Sequence, residues 1–116
     1  MFDRRQILAA LGALPVAACA TTPGSGRPEL TLATYNIYHD RDRWPERLPL
    51  VIETLRAIDA DVIGLQEVLE DAATDLPNQA RTIGGALGYQ VVFVSTDAEG
   101  APRRYGNAIL TRLPIV

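Results

Sequence analysis

Asp61-Val62-Ile63-Gly64-Leu65-Gln66-Glu67-Val68 decides how this chain reads. Its apolar run predicts a strand, and because neighbouring positions are both apolar the strand is expected to lie centrally in a sheet, covered on both faces. The run ends on a Gln-Glu pair. Period-two alternation puts Glu67 on the face of Ile63 and Leu65. A carboxylate held on an apolar face costs several kcal/mol unless a cation or strong donors compensate it.

Upstream, Leu48, Val51, Ile52, Leu55 and Ile58 recur at helical spacing and predict an amphipathic helix over residues 45–58, with Pro45 suited to its first turn. Before it, Leu30-Thr31-Leu32-Ala33-Thr34-Tyr35-Asn36-Ile37 reads as a first strand, with Asn36 near its C-terminal end on the face of Leu30 and Leu32. A strand-helix-strand crossover of about 30 residues makes the two strands parallel. Asn36 and Glu67 are then expected at the same sheet edge. Mg²⁺ is commonly held by one or two carboxylates plus water and substrate phosphate, so a single Glu here suits a divalent ion, with Asn36 orienting it or touching the phosphate. Taken singly, each residue has a plainer reading: Glu67 turned into solvent, and Asn36 capping a strand end.

Downstream, an Asp- and Ala-rich loop leads to a predicted helix over residues 77–87, closed by Gly88. Tyr89 to Val94 reads as a third strand and Asn107 to Thr111 as a fourth. No helical pattern lies between them, so they are expected to form a hairpin with a long loop.

The chain has 116 residues, 47% hydrophobic and 22% charged, ordinary values for a globular protein. All eleven basic residues are Arg. Beyond residue 18 the balance is nine Arg against thirteen Asp and Glu, a net charge of −4. A protein gripping DNA through its phosphates usually carries a basic stripe, and none is visible. The basic pairs Arg41/Arg43 and Arg103/Arg104 read as solvated surface pairs first and as phosphate contacts second.

Residues 1–18 read as an export signal. Arg4-Arg5 is followed by an apolar stretch from Ile7 to Ala18 and then by Cys19. Twelve residues are too few for a membrane span, which needs roughly 20. Val16-Ala17-Ala18-Cys19 resembles a lipoprotein box, which makes Cys19, the sole cysteine, a candidate lipidation site that would tie the protein to the periplasmic face of a bacterial membrane. Without lipid the protein is expected to be secreted or periplasmic. Asp3-Arg4-Arg5-Gln6-Ile7-Leu8 also resembles a twin-arginine motif. Residues 19–28 read as a tether and residues 29–116 as the domain.

In sequence order, Thr34-Tyr35-Asn36-Ile37, Trp44-Pro45-Glu46-Arg47, Asp61 to Val68, and Tyr105-Gly106-Asn107-Ala108-Ile109-Leu110-Thr111-Arg112 resemble the endonuclease/exonuclease/phosphatase superfamily. Gln66-Glu67-Val68 after an apolar strand is the most diagnostic part. The resemblance implies an α/β fold, a four-layered α/β/β/α sandwich of two mixed sheets, and hydrolysis of phosphoesters with Mg²⁺ or Mn²⁺. It makes Glu67 the metal ligand and Asn36 the active-site amide, both catalytic. It also makes Asn107 a substrate contact, and His39, just after Asn36, a group that can approach the phosphate. Tyr35, Trp44 and Tyr105 are expected to be packing residues.

The superfamily's later segments, an Asp-x-Asn pair, a further acidic ligand and a Ser-Asp-His segment, have no counterpart here. The chain is therefore expected to be the N-terminal half of the domain, catalytically inactive by itself, within a whole protein that hydrolyses phosphoesters. The competing reading is a lipid-anchored, non-catalytic binding or scaffold protein on the same fold or on a parallel α/β fold. No protein partner is inferred. Relatives cleave nucleic acid, sphingomyelin or inositol phosphates; the acidic balance tilts the reading away from a nuclease.

Overall fold

The β-branched and aromatic runs of the sequence form four strands, and the two amphipathic segments form helices, in the order β1 (Leu32–Asn36), α1 (Trp44–Ile58), β2 (Val62–Asp71), α2 (Gln79–Leu87), β3 (Gln90–Ser95) and β4 (Arg103–Thr111). A 3₁₀ turn, Ala72–Thr74, lies between β2 and α2. The computed structural model describes Gly26 and residues 28–116. The expected export signal, the candidate lipid site at Cys19 and most of the expected tether lie outside the described residues.

The strands make one mixed sheet in the order β1-β2-β4-β3. β1 and β2 are parallel, with Asn36 opposite Gln66, as the crossover through α1 requires. β4 runs antiparallel to both β2 and β3, which establishes the expected hairpin and excludes an all-parallel sheet. The long hairpin loop is tied back by the Asp97 carboxylate, which accepts from the Tyr105 amide at 2.8 Å and from the Ser95 hydroxyl at 3.1 Å. These bonds hold the Asp97 carboxyl below its ordinary range. β4 begins at Arg103, four residues before the sequence pattern starts to look like a strand, because it pairs with an unexpectedly long β2.

Both helices cover one face of the sheet. Trp44, Val51 and Leu55 of α1 and Ala80 and Ile83 of α2 pack with Ile63, Leu65, Val68, Ala108 and Leu110 in a single core. Each large aliphatic side chain removed from water in this way contributes about 1.5–3 kcal/mol. α1 tolerates Pro49 in its second turn, losing one backbone bond there. α2 starts on Asn78, whose side chain accepts from the Arg81 amide, and ends on Gly88 in the left-handed conformation, φ 77°.

The opposite face is open, and it carries Leu32 at 66% exposure, Val94 at 65% and Ile109 at 51%. One sheet layer and one helix layer are thus formed, two of the four layers of the expected sandwich. Arg104 corrects the reading of the basic pairs. Its Nη1 donates to Glu70 at 3.2 Å, its guanidinium lies over the Phe93 ring, and the side chain is mostly buried rather than solvated.

Gly106 is set by close packing. A Cβ there would overlap the carbonyl oxygen of Val94 across the β3–β4 ladder. Gly106→Ala is therefore expected to destabilise the domain by about 1–3 kcal/mol, the usual range for overpacking. The check is a lowered denaturant midpoint at unchanged slope; an unaltered midpoint would mean that the two strands do not approach so closely.

Candidate functional site

Where β1 ends beside the middle of β2 the backbone departs from regular pairing. Opposite β4, Leu65 faces Ala108 but Val68 faces Gly106, so Gln66 and Glu67 together oppose Asn107 alone. This is a β-bulge, and Glu67 takes a left-handed backbone conformation, φ 57°, to make it. The bulge corrects the alternation read from sequence. Val68, fully buried, continues the face of Ile63 and Leu65, and Glu67 drops out of that series. Had the strand stayed regular, Glu67 would face the helices while Asn36 and Asn107 stood on the open face.

The Tyr105 hydroxyl locates the carboxylate. It is held above its ordinary value of 10, first by burial and second by the negative charge of Glu67. Tyr105 and Asn107 are both on the open face of β4, so Glu67 carries its charge to that side. Among the described residues the Glu67 side chain has no hydrogen-bond or ion-pair partner, whereas its backbone carbonyl accepts from the His39 amide at 3.0 Å.

Asn36 ends β1 on the same face as Leu32 and Thr34. Its Oδ1 accepts from the Tyr38 amide at 2.9 Å, which holds the side chain over the start of the β1–α1 loop. In that loop Tyr38, His39, Asp42 and Arg43 all have positive φ. His39 Nδ1 lies 2.6 Å from Asp40 Oδ1. A carboxylate only accepts, so the proton between them belongs to Nδ1, and Nε2 is left without a partner among the described residues. This bond is the main cause that holds the Asp40 carboxyl below its ordinary range. The His39 ring meets Tyr105 edge-on at 5.8 Å between centroids.

The four candidates from sequence are thus brought to one rim: Asn36 by the end of β1, His39 by the loop, Glu67 by the bulge and Asn107 by the facing strand. Asn107 also lines a depression of about 260 Å³ with Tyr105 and Ser95. A second cavity, about 560 Å³, is lined by Glu70, Asp71, Asp75 and neighbours, and by none of the candidates. Among the described residues, no three His, Cys, Asp or Glu side chains come together as a metal-holding group. Trp44 is buried as expected. Tyr105 is not the packing residue expected from sequence; it is 44% exposed and stands beside His39.

Sequence reasoning also missed Gln79, 1% exposed, which accepts from the Leu69 amide and donates to the His39 carbonyl, both at 2.9 Å. Only its place in the first turn of an amphipathic helix marks it, since its partners are backbone groups far away in sequence.

Residues 33–116 match the family described as Endonuclease/Exonuclease/phosphatase family. Among solved structures, the chain is similar to an endonuclease/exonuclease/phosphatase family protein from Leptotrichia buccalis C-1013-b, with TM-score 0.62 and 20% identity over 75% of this chain and 38% of that one. It is also similar to an endonuclease/exonuclease/phosphatase from Beutenbergia cavernae DSM 12333, with TM-score 0.54 and 25% identity over 78% of this chain and 28% of that one. The chain therefore spans well under half the length of either. No curated protein matches it.

Because Glu67 raises the Tyr105 pKa, Glu67→Gln is expected to lower it, leaving only the upward push of burial. Titration of the Tyr105 ring by NMR tests this; a Tyr105 pKa that is unchanged in the variant would place the carboxylate elsewhere.

Proposed function

Because the chain belongs to the endonuclease/exonuclease/phosphatase family, a class of hydrolases acting on phosphoesters, we propose that the whole protein hydrolyses a phosphoester with Mg²⁺ or Mn²⁺ held at Glu67. The observation that carries the reading is the gathering of Asn36, His39, Glu67 and Asn107 on one open sheet rim, with the carboxylate free of any partner among the described residues.

The donor set fits a hard divalent cation. An unpaired, half-buried carboxylate whose charge is felt by a neighbouring tyrosine is a group that a cation would stabilise. One such carboxylate is enough where water and substrate phosphate complete the shell. When bound, the ion supplies positive charge against the phosphoryl oxygens and the leaving group.

The chain's own residues have separate tasks in this reading. Glu67 is the ligand, held by the bulge. Asn36 offers its side-chain amide N–H groups to the phosphate while its Oδ1 stays occupied by Tyr38. His39, with Nδ1 engaged by Asp40, presents Nε2 to a phosphoryl oxygen, as a donor when protonated. Asn107 borders the same rim and contacts the substrate from β4. The residue that activates the attacking water belongs to the part of the domain that this chain does not span.

We also propose that the protein is exported and held to a membrane by lipid on Cys19, which would keep the open rim in the periplasm. Among the described residues no helix is long and apolar enough to cross a membrane.

Two outcomes follow. In the whole protein, Glu67→Gln is expected to abolish Mg²⁺-dependent hydrolysis of bis(p-nitrophenyl) phosphate, with a loss of at least about 100-fold, the scale of removing one strong transition-state contact; retained hydrolysis would remove Glu67 from the reaction. Cys19→Ser is expected to stop incorporation of labelled palmitate and release the protein from the membrane fraction. Continued labelling would sink the lipid anchor.

A further inference from the structure

Arg47, in the first turn of α1, spends its guanidinium on backbone. Nη1 donates to the Ile37 carbonyl at 2.8 Å. Nη2 reaches the carbonyls of Arg41 at 2.6 Å, His39 at 3.2 Å and Tyr38 at 3.4 Å. Nε is shared between those of Asp42 at 3.0 Å and Arg41 at 3.1 Å. Every one of these acceptors belongs to the β1–α1 loop, and Arg47 has no carboxylate partner among the described residues.

This loop needs such an anchor. Four of its residues other than glycine hold positive φ, a conformation that persists only where surrounding contacts over-determine it. A planar fork with five N–H groups can collect several carbonyls of a tight loop at once. The single point charge of a lysine cannot do so with the same geometry.

The His39 carbonyl receives a second donor, Gln79 Nε2 from α2, at 2.9 Å. The other end of the Gln79 amide accepts from Leu69, two residues past Glu67 on β2. The His39 amide donates to the Glu67 carbonyl. One side chain from each helix therefore grips the loop, and the loop in turn grips the bulge.

We propose that Arg47 is the positioning residue of this rim, with Gln79 as its second anchor: together they set the loop so that Asn36, His39 and Glu67 share one geometry. Arg47 acts through the loop rather than on substrate, because all three of its guanidinium nitrogens already donate to loop carbonyls. The consequence for turnover rests on the phosphoesterase reading given above; the consequence for the loop does not.

The test uses the whole protein with Arg47→Lys and Arg47→Ala. Amide hydrogen exchange at His39 is expected to quicken by about tenfold or more in Arg47→Lys while exchange at Ile63 and Leu65 in the core strand stays as in wild type. Hydrolysis of bis(p-nitrophenyl) phosphate is expected to lose about 100-fold in kcat, the scale of a small misplacement of reacting groups, with KM moving less than about threefold. Added ethylguanidinium should restore part of the kcat of Arg47→Ala, and ethylammonium should not.

Lysine restoring full kcat would reduce Arg47 to a charge and overturn the proposal. So would exchange that quickens equally at His39, Ile63 and Leu65, which marks a general stabiliser of the fold. If wild type fails to hydrolyse the ester while Arg47→Lys still loosens His39 selectively, the clamp stands and the phosphoesterase reading falls.

Discussion

Two backbone hydrogen bonds, from the Ile37 amide to the Gln66 carbonyl and from the His39 amide to the Glu67 carbonyl, carry the pairing of β1 and β2 past the end of β1. They tie the β1–α1 loop to a strand that is breaking its own register. A parallel pair gives neighbouring strand tips at one edge, but it does not by itself aim their side chains to one side. The extra residue at the bulge changes the aim of Glu67. Without it, the acid and the two asparagines would be divided between opposite faces of the same sheet.

The cost of that arrangement is local strain. Glu67, Tyr38, His39, Asp42 and Arg43 all hold positive φ, and each such residue is unfavourable by about 1–2 kcal/mol against an ordinary conformation. Donors from both helices offset it, through Arg47 on the loop and Gln79 between the loop and β2. The buried core under the helices supplies the rigidity against which these bonds act. Five of the seven described non-glycine residues with positive φ gather at this rim, Asp59 and Asp75 at helix ends being the other two, and such clustering suits the proposed site.

The open face gives the site its setting. Leu32, Val92, Val94 and Ile109 are exposed there, beside Asn36 and Asn107. The helices occupy the other face, so in the proposed reading the substrate approaches Glu67 from the side that α1 and α2 leave free. The carboxylate charge and the Tyr105 hydroxyl already interact on that side.

The sequence by itself determined the order of elements, the parallel pairing of β1 with β2, the β3–β4 hairpin, the glycine end of α2 and the nearness of Asn36 to Glu67 across that parallel pair. Those features follow from short-range patterns: periodicity, turn residues and the handedness of a single crossover. Tertiary structure alone decided the direction of Glu67, the exposure of Tyr105, the burial of Arg104 and the work of Arg47 and Gln79. A bulge has no period of its own, and it arises only when Asn107 on a distant strand offers one residue to two. The carbonyls that Arg47 and Gln79 satisfy are likewise identical at every position of the chain, so nothing in residue identity could mark which of them a folded loop would leave in need of a donor.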